Sequence, residues 1–209
     1  MTDSGEAVQG SGHRLLGIGT ILVLTITAVL TAWCGFEASK WGGEMSIAFS
    51  RASSARVQAT AAELTSQTAR QYDLTLYVEW VLAQERGDAE LATFIERRFT
   101  PEFAIAFDAW IAEGRDAAGP FAMEVYLPPG TQRAEELHRS ADDHFADALV
   151  NNQRGDDYSL LTVLFALVLF FTALSQTQRS DRRRWIFLGM GTVLWIAGVV
   201  VLTTFPIKI

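Results

Sequence analysis

The sequence predicts an all-α membrane protein: three transmembrane helices with an extracytoplasmic antiparallel helical hairpin capped by short helices and an apolar loop. Three observations predict it. Leu15–Cys34, Leu160–Leu174 and Ile186–Phe205 are apolar runs without a single charged residue. A long acidic block, residues 35–158, separates the first run from the second. That block opens and closes on proline-free stretches with heptad periodicity.

A bilayer core of ~30 Å takes ~20 apolar residues in a helix rising ~1.5 Å per residue. Leu15–Cys34 and Ile186–Phe205 meet that length. Leu160–Leu174 is shorter, and Tyr158, Ser159, Ser175 and Gln176 extend it into the interfaces. It is apolar all round, whereas a soluble core helix shows a polar face. The expected layout is a tail 1–14, spans at 15–34, 159–176 and 186–205, a loop 177–185, and a C-terminal tail 206–209.

The short loop before the third run carries Arg179, Arg182, Arg183 and Arg184 against Asp181. Such an excess marks the cytoplasmic side. The N-terminus is then cytoplasmic, and residues 35–158 and the C-terminus are extracytoplasmic. His13 and Arg14 against Asp3 and Glu6 are a weaker witness. Trp33 and Tyr158 suit the outer interface and Trp185 the inner one. A removable leader needs small residues before its cleavage site. Ala32-Trp33-Cys34 fits this poorly, so an uncleaved anchor is expected.

Charge narrows the partners. Residues 35–158 carry 21 acids against 11 Lys and Arg, a net of −10, while the whole chain is −7. An acidic outer domain argues against nucleic acid and anionic lipid as its partners. Cys34 is the one cysteine, so no intrachain disulfide forms.

No proline occurs between Met1 and Thr100, and no glycine between Gly43 and Gly87. Residues 44–85 therefore read as one long helix, with Gly42-Gly43 as a joint below it. Its regular feature is a seam of small residues: Ala48, Ala52, Ala55, Ala59, Ala62, Ser66 and Ala69. Steps of four and three make a heptad repeat, and alanine lets two helices approach closely. The same seam runs on to Leu76 and Trp80. Whether it closes within one chain or between chains is open at this point.

Short elements follow. Residues 88–98 read as a helix. Thr100-Pro101 is a helix start, with Thr as N-cap and Pro first; Phe103, Phe107, Trp110 and Ile111 share a side of it. Gly114–Gly130 is a loop by its Gly and Pro content, yet its interior is apolar and is expected to tuck against the helices. Thr131 is expected to cap a proline-free helix of about 45 residues that continues into the second span. Its seam reads Ala134, Leu137, Ala141, Phe145, Ala148, Asn152, Gly155, Ser159 and Thr162.

Four segments, WGGEMSIAFSRASSARVQATAA, FTPEFAIAFDAW, PFAMEVYLPPG and NNQRGDDYSLLTVLFALVLFF, together resemble a family of small bacterial three-span (multi-pass) membrane proteins of uncharacterised role. The resemblance covers most of the chain from Trp41 onward. It implies a bacterial inner membrane and no mechanism.

Chemistry-bearing patterns are sparse. Glu135-x-x-His138 with Asp142 lines one helix face, but a di-iron bundle needs a second such pair and two more carboxylates. No nucleophile triad, phosphate-cradling glycine loop, CxxC or HExxH occurs. No catalytic residue, metal ligand or cofactor is assigned, and the chain is not expected to be an enzyme. The spans hold no Asp, Glu, Lys, Arg or His, which disfavours coupled transport. Thr20, Thr27 and Thr31 share one face of the first span; Gly189, Gly191 and Gly198 lie in the third. Such residues mark helix contacts more often than pores.

The expected role is non-enzymatic, through helix-mediated assembly or partner contact. The expected partners are the lipid bilayer and a homo-oligomer or membrane-protein partner, with no nucleic acid. The rival reading is an oligomeric cation-permeable channel. Glu37, Glu44, Asp156 and Asp157 would then form a cation-facing entrance.

Overall fold

The computed structural model describes residues 4–207, with side chains from Gly17 to Ile207. Residues 1–3 and 208–209, and the side chains of Glu6, His13, Arg14 and Leu15, lie outside the described residues. The regular structure is all-helical: α1 Ser4–Glu85, α2 Ala89–Glu96, α3 Pro101–Ala112, a 3-10 turn Pro120–Ala122, α4 Thr131–Thr177 and α5 Asp181–Thr204. α1, α4 and α5 each contain a stretch long and apolar enough to cross a membrane.

α1 runs unbroken for 82 residues. The joint expected at Gly42-Gly43 does not form. Each glycine inside a helix costs only about 1 kcal/mol against alanine, and the residues on either side are strong helix formers. Buried side chains recur along α1 at spacings built from three- and four-residue steps. Thr27, Cys34, Glu37 and Trp41 are followed by Ala48, Ala52, Ala55 and Ala59, then Asp73, Trp80 and Ala83.

The chain divides into two compact units, one of residues 1–47 with 147–209 and one of residues 48–146. The first unit packs Cys34 and Trp41 of α1 against Tyr158, Leu161, Phe165 and Val168 of α4. Leu194, Trp195, Val199 and Leu202 of α5 join them. Glycine makes the close approaches. A Cβ on Gly198 would lie 2.9 Å from the Phe165 ring, and one on Gly191 would lie 2.9 Å from Thr172 Oγ1. Gly189 has nothing within 4 Å, so it does not share their role. Beyond the end of α5, the Tyr158 hydroxyl donates to the Pro206 carbonyl at 3.0 Å.

The buried stripe of α4 departs from the expected register. Ala134, Leu137, Ala141 and Ala148 are buried as expected, but Asn152 and Ser159 are exposed. Tyr158 takes the place of Ser159 with no exposed surface. A bulky aromatic one position away buries far more apolar area than a serine can, so the helix turns that side inward.

In the second unit, α1 and α4 pair in opposite numerical order. Phe49 meets Phe145 edge-on at 5.6 Å, Arg56 lies 3.6 Å from Asp142, and Glu63 lies 2.8 Å from His138. Ser66 and Thr131 share a hydroxyl bond of 2.9 Å. Thr131 thus spends its hydroxyl on the seam of α1 instead of on its own helix start. Beside it, Gly130 (φ +94°) comes so close to α1 that a Cβ would lie 2.5 Å from the Ala62 carbonyl oxygen.

Candidate functional site

The most organised polar site among the described residues is built on Asp73. Its side chain has no exposed surface. Asp73 falls in the seam register of α1, four residues after Ala69, so the helix itself turns the carboxylate inward. An ionised carboxylate only accepts, which fixes the direction of every bond around it. Thr100 Oγ1 donates from 2.9 Å to both carboxylate oxygens, and the Tyr126 hydroxyl donates from 3.0 Å. The backbone N–H of Thr100 points at Oδ1 from 3.4 Å.

Thr100 also caps α3, its Oγ1 accepting from the Phe103 N–H at 3.3 Å. One hydroxyl therefore passes a chain of bonds from the first turn of α3 to Asp73. The positive end of the α3 dipole faces a buried negative charge, a favourable arrangement for both. Burial, and then the bond to Asp73, push the Tyr126 hydroxyl well above its ordinary pKa. The site ties together α1, the start of α3 and the loop before α4.

Aromatic packing surrounds it. Trp80, Phe103, Phe107, Trp110 and Tyr126 are buried in one cluster, with Tyr77, Phe99 and Phe121 against it. Phe103 lies 4.8 Å from Phe99 and 4.7 Å from Phe121 between ring centroids. Each indole is satisfied: Trp80 Nε1 donates to Glu96 at 2.7 Å and Trp110 Nε1 to the Ala117 carbonyl at 2.9 Å. Ile111, expected on the same side as Phe107, is 38% exposed. The apolar loop does tuck in through Phe121, Met123 and Tyr126, while Val125 and Leu127 face outward.

The residues singled out from the sequence fall as follows. Ala48, Ala52, Ala55 and Ala59 are buried within a single chain, and Ala62, Ser66 and Ala69 are half-buried. Glu37, expected at a wet entrance, is fully buried in the register between Cys34 and Trp41. Glu44 and Asp157 are half-buried and Asp156 is exposed. Asp156 accepts from Asn152 at 3.2 Å and Asp157 from Gln153 at 3.0 Å, both on their own helix. In the apolar stretch of α1, Thr27 and Thr31 donate to carbonyls one turn back, at 2.6 and 2.7 Å. Those hydroxyls serve the backbone of their own helix.

Among the described residues, no group of three His, Cys, Asp or Glu is placed to hold a metal ion. His138 is engaged with Glu63 and Asp142 with Arg56, so the Glu135–His138–Asp142 face pairs across to α1. The fold and site together define an all-helical chain with three helices able to cross a membrane and a second unit organised around a buried carboxylate. Comparison with known proteins gives no matching family model, no similar curated protein and no similar solved structure.

Proposed function

We propose that this chain is a non-enzymatic protein of a bacterial inner membrane that acts by contact, through an extracytoplasmic helical hairpin capped by short helices. The Arg-rich loop 177–185 argues for a cytoplasmic N-terminus and an extracytoplasmic block 35–158. The bacterial setting rests on the family resemblance of the segments from Trp41 onward.

One observation carries the contact reading. The second unit holds large apolar side chains out in solvent, among them Val57 at 69%, Ile105 at 60%, Leu64 at 58% and Phe94 at 52% exposed. Surfaces of this kind mark sites of association. Asp73, Thr100 and Tyr126 of the same unit, by contrast, bond to one another inside it.

Two measurements test this. After gentle solubilisation, the chain is expected to migrate as an assembly larger than its own 23.0 kDa; migration at that mass alone sinks the contact reading. On a Cys34→Ser background, a cysteine placed at Asp143 is expected to react with a membrane-impermeant maleimide added outside spheroplasts. Labelling only after lysis reverses the orientation.

A further inference from the structure

Within the second unit, the exposed aliphatic residues of α1 lie on one side of that helix. Between Ser50 and Leu82, its charged residues are Arg51, Arg56, Glu63, Arg70, Asp73 and Glu79. Asp73 lies in the buried seam. At 100° per residue the other five fall within about 90° of the seam's midline. The outward side therefore carries no charge for roughly nine turns, where ordinary surfaces are about 25–35% charged.

That side mixes large apolar residues with uncharged polar ones, Gln67 and Gln71 among them. Val57, Leu64, Leu74, Val78 and Leu82 are 69, 58, 49, 48 and 41% exposed. Its threonines are already engaged: Thr60, Thr68 and Thr75 donate to carbonyls one turn back at 3.1, 2.8 and 3.0 Å. An approaching surface meets methyl groups more than hydroxyls. The seam alanines Ala48, Ala52, Ala55 and Ala59 are buried inside the chain, so they are not the association surface.

We infer that this face docks a second copy of the chain, α1 against α1 in parallel. The inference rests on the contact reading above and names its partner. Residues 48–146 carry 16 acids against 9 Arg, a net of −7. Two such units repel, and like charges set opposite one another cost several kcal/mol. The neutral side of α1 lets them meet without that opposition. Because α1 also carries a membrane-spanning stretch, every copy presents it with the same polarity. The pair then shares a twofold axis along the membrane normal, and equivalent residues meet. A strip ~50 Å long and ~10 Å wide gives about 1,000 Å² over both copies, at the lower limit for a specific interface. Confinement of both copies to one membrane supplies the rest.

The test places a photo-reactive benzoylphenylalanine at Val57, Leu64 or, as control, Asp143 of the full-length chain in native membranes. The expected product from Val57 and Leu64 is twice the chain mass of 23.0 kDa, with none from Asp143. Adding Leu64→Glu to the Val57 probe is expected to lower that yield at least about tenfold without changing the melting temperature, because Leu64 is exposed. A product with a different protein overturns the second-copy proposal and leaves the contact reading standing. A self-product from Asp143 alone overturns the choice of face. No product at any position, with migration at the chain's own mass, overturns both.

Discussion

Asp73 and Tyr126 are 53 residues apart in the chain and joined by a hydrogen bond of 3.0 Å. The carboxylate reaches the tyrosine out of α1, and the tyrosine reaches it out of an irregular loop. Thr100 completes the group from the start of α3. Asp73→Ala leaves two hydroxyls without their acceptor and is expected to cost roughly 2–4 kcal/mol. Tyr126→Phe is expected to cost roughly 1–3 kcal/mol. A double-mutant cycle by denaturant unfolding should give a coupling of roughly 0.5–3 kcal/mol; additive losses would dissolve the hub.

The same pair sets an alkaline limit. Tyr126 holds its proton more tightly folded than unfolded, through burial and the bond to Asp73. Its contribution is complete below the unfolded tyrosine pKa of about 10. Above that pH the unfolded chain releases the proton first, so stability falls as pH rises. Melting curves between neutral and strongly alkaline pH should show a steeper decline for the native chain than for Tyr126→Phe. Parallel declines would detach Tyr126 from the effect.

Gly130 is irreplaceable on two counts. Its φ of +94° strains any L side chain, and a Cβ would lie 2.5 Å from the Ala62 carbonyl oxygen. Gly130→Ala is expected to cost about 2–4 kcal/mol, combining steric displacement with backbone strain. Gly114, also at positive φ (+77°) but with nothing within 4 Å, should lose only the strain of about 1–2 kcal/mol. Thermal unfolding of the two variants side by side separates crowding from conformation.

Two glycines on α5 should respond with opposite signs. Gly189→Ala meets open space and should stabilise by about 0.5–1 kcal/mol through helix propensity. Gly198→Ala would push a Cβ to 2.9 Å from the Phe165 ring and should destabilise by about 1–3 kcal/mol. Unfolding in mixed micelles reads both changes. Equal effects would mean that Gly198 is not an approach point.

Ala52 and Ala59, at 2% and 0% exposed, should not tolerate a larger side chain. Ala52→Leu with Ala59→Leu is expected to cost about 2–6 kcal/mol by overpacking. The cross-linked pairing through Leu64 should persist in whichever single variant stays folded. Unchanged stability would mean the seam is not packed.

Helix type and membrane character were legible because they depend on composition and period. Apolar runs, proline-free stretches and the Thr100-Pro101 start each act within a few residues of themselves. The hub was harder to see, because Asp73, Thr100 and Tyr126 meet only through the tertiary fold. A signal did exist: an acid stood in the seam register between Ala69 and Leu76, and Glu37 stood likewise between Cys34 and Trp41. A carboxylate in a core position of a heptad is costly unless something satisfies it, so such a position points to a polar site. The slip from Ser159 to Tyr158 has a different origin. Small residues mark contact in the sequence of α4, while aromatic area decides its rotation.

The separation of Asp73 from its tyrosine also orders events in time. Ribosomes extend a chain at about 5–20 residues per second, so Tyr126 follows Asp73 by roughly 3–10 s. Throughout that interval the alanine seam of α1 stands without α4, and the carboxylate stands in water. The seam half of α1 is thus born bare and must wait, unpaired, for its own far partner. A chain delayed at that stage exposes to strangers the stripe that it later hides.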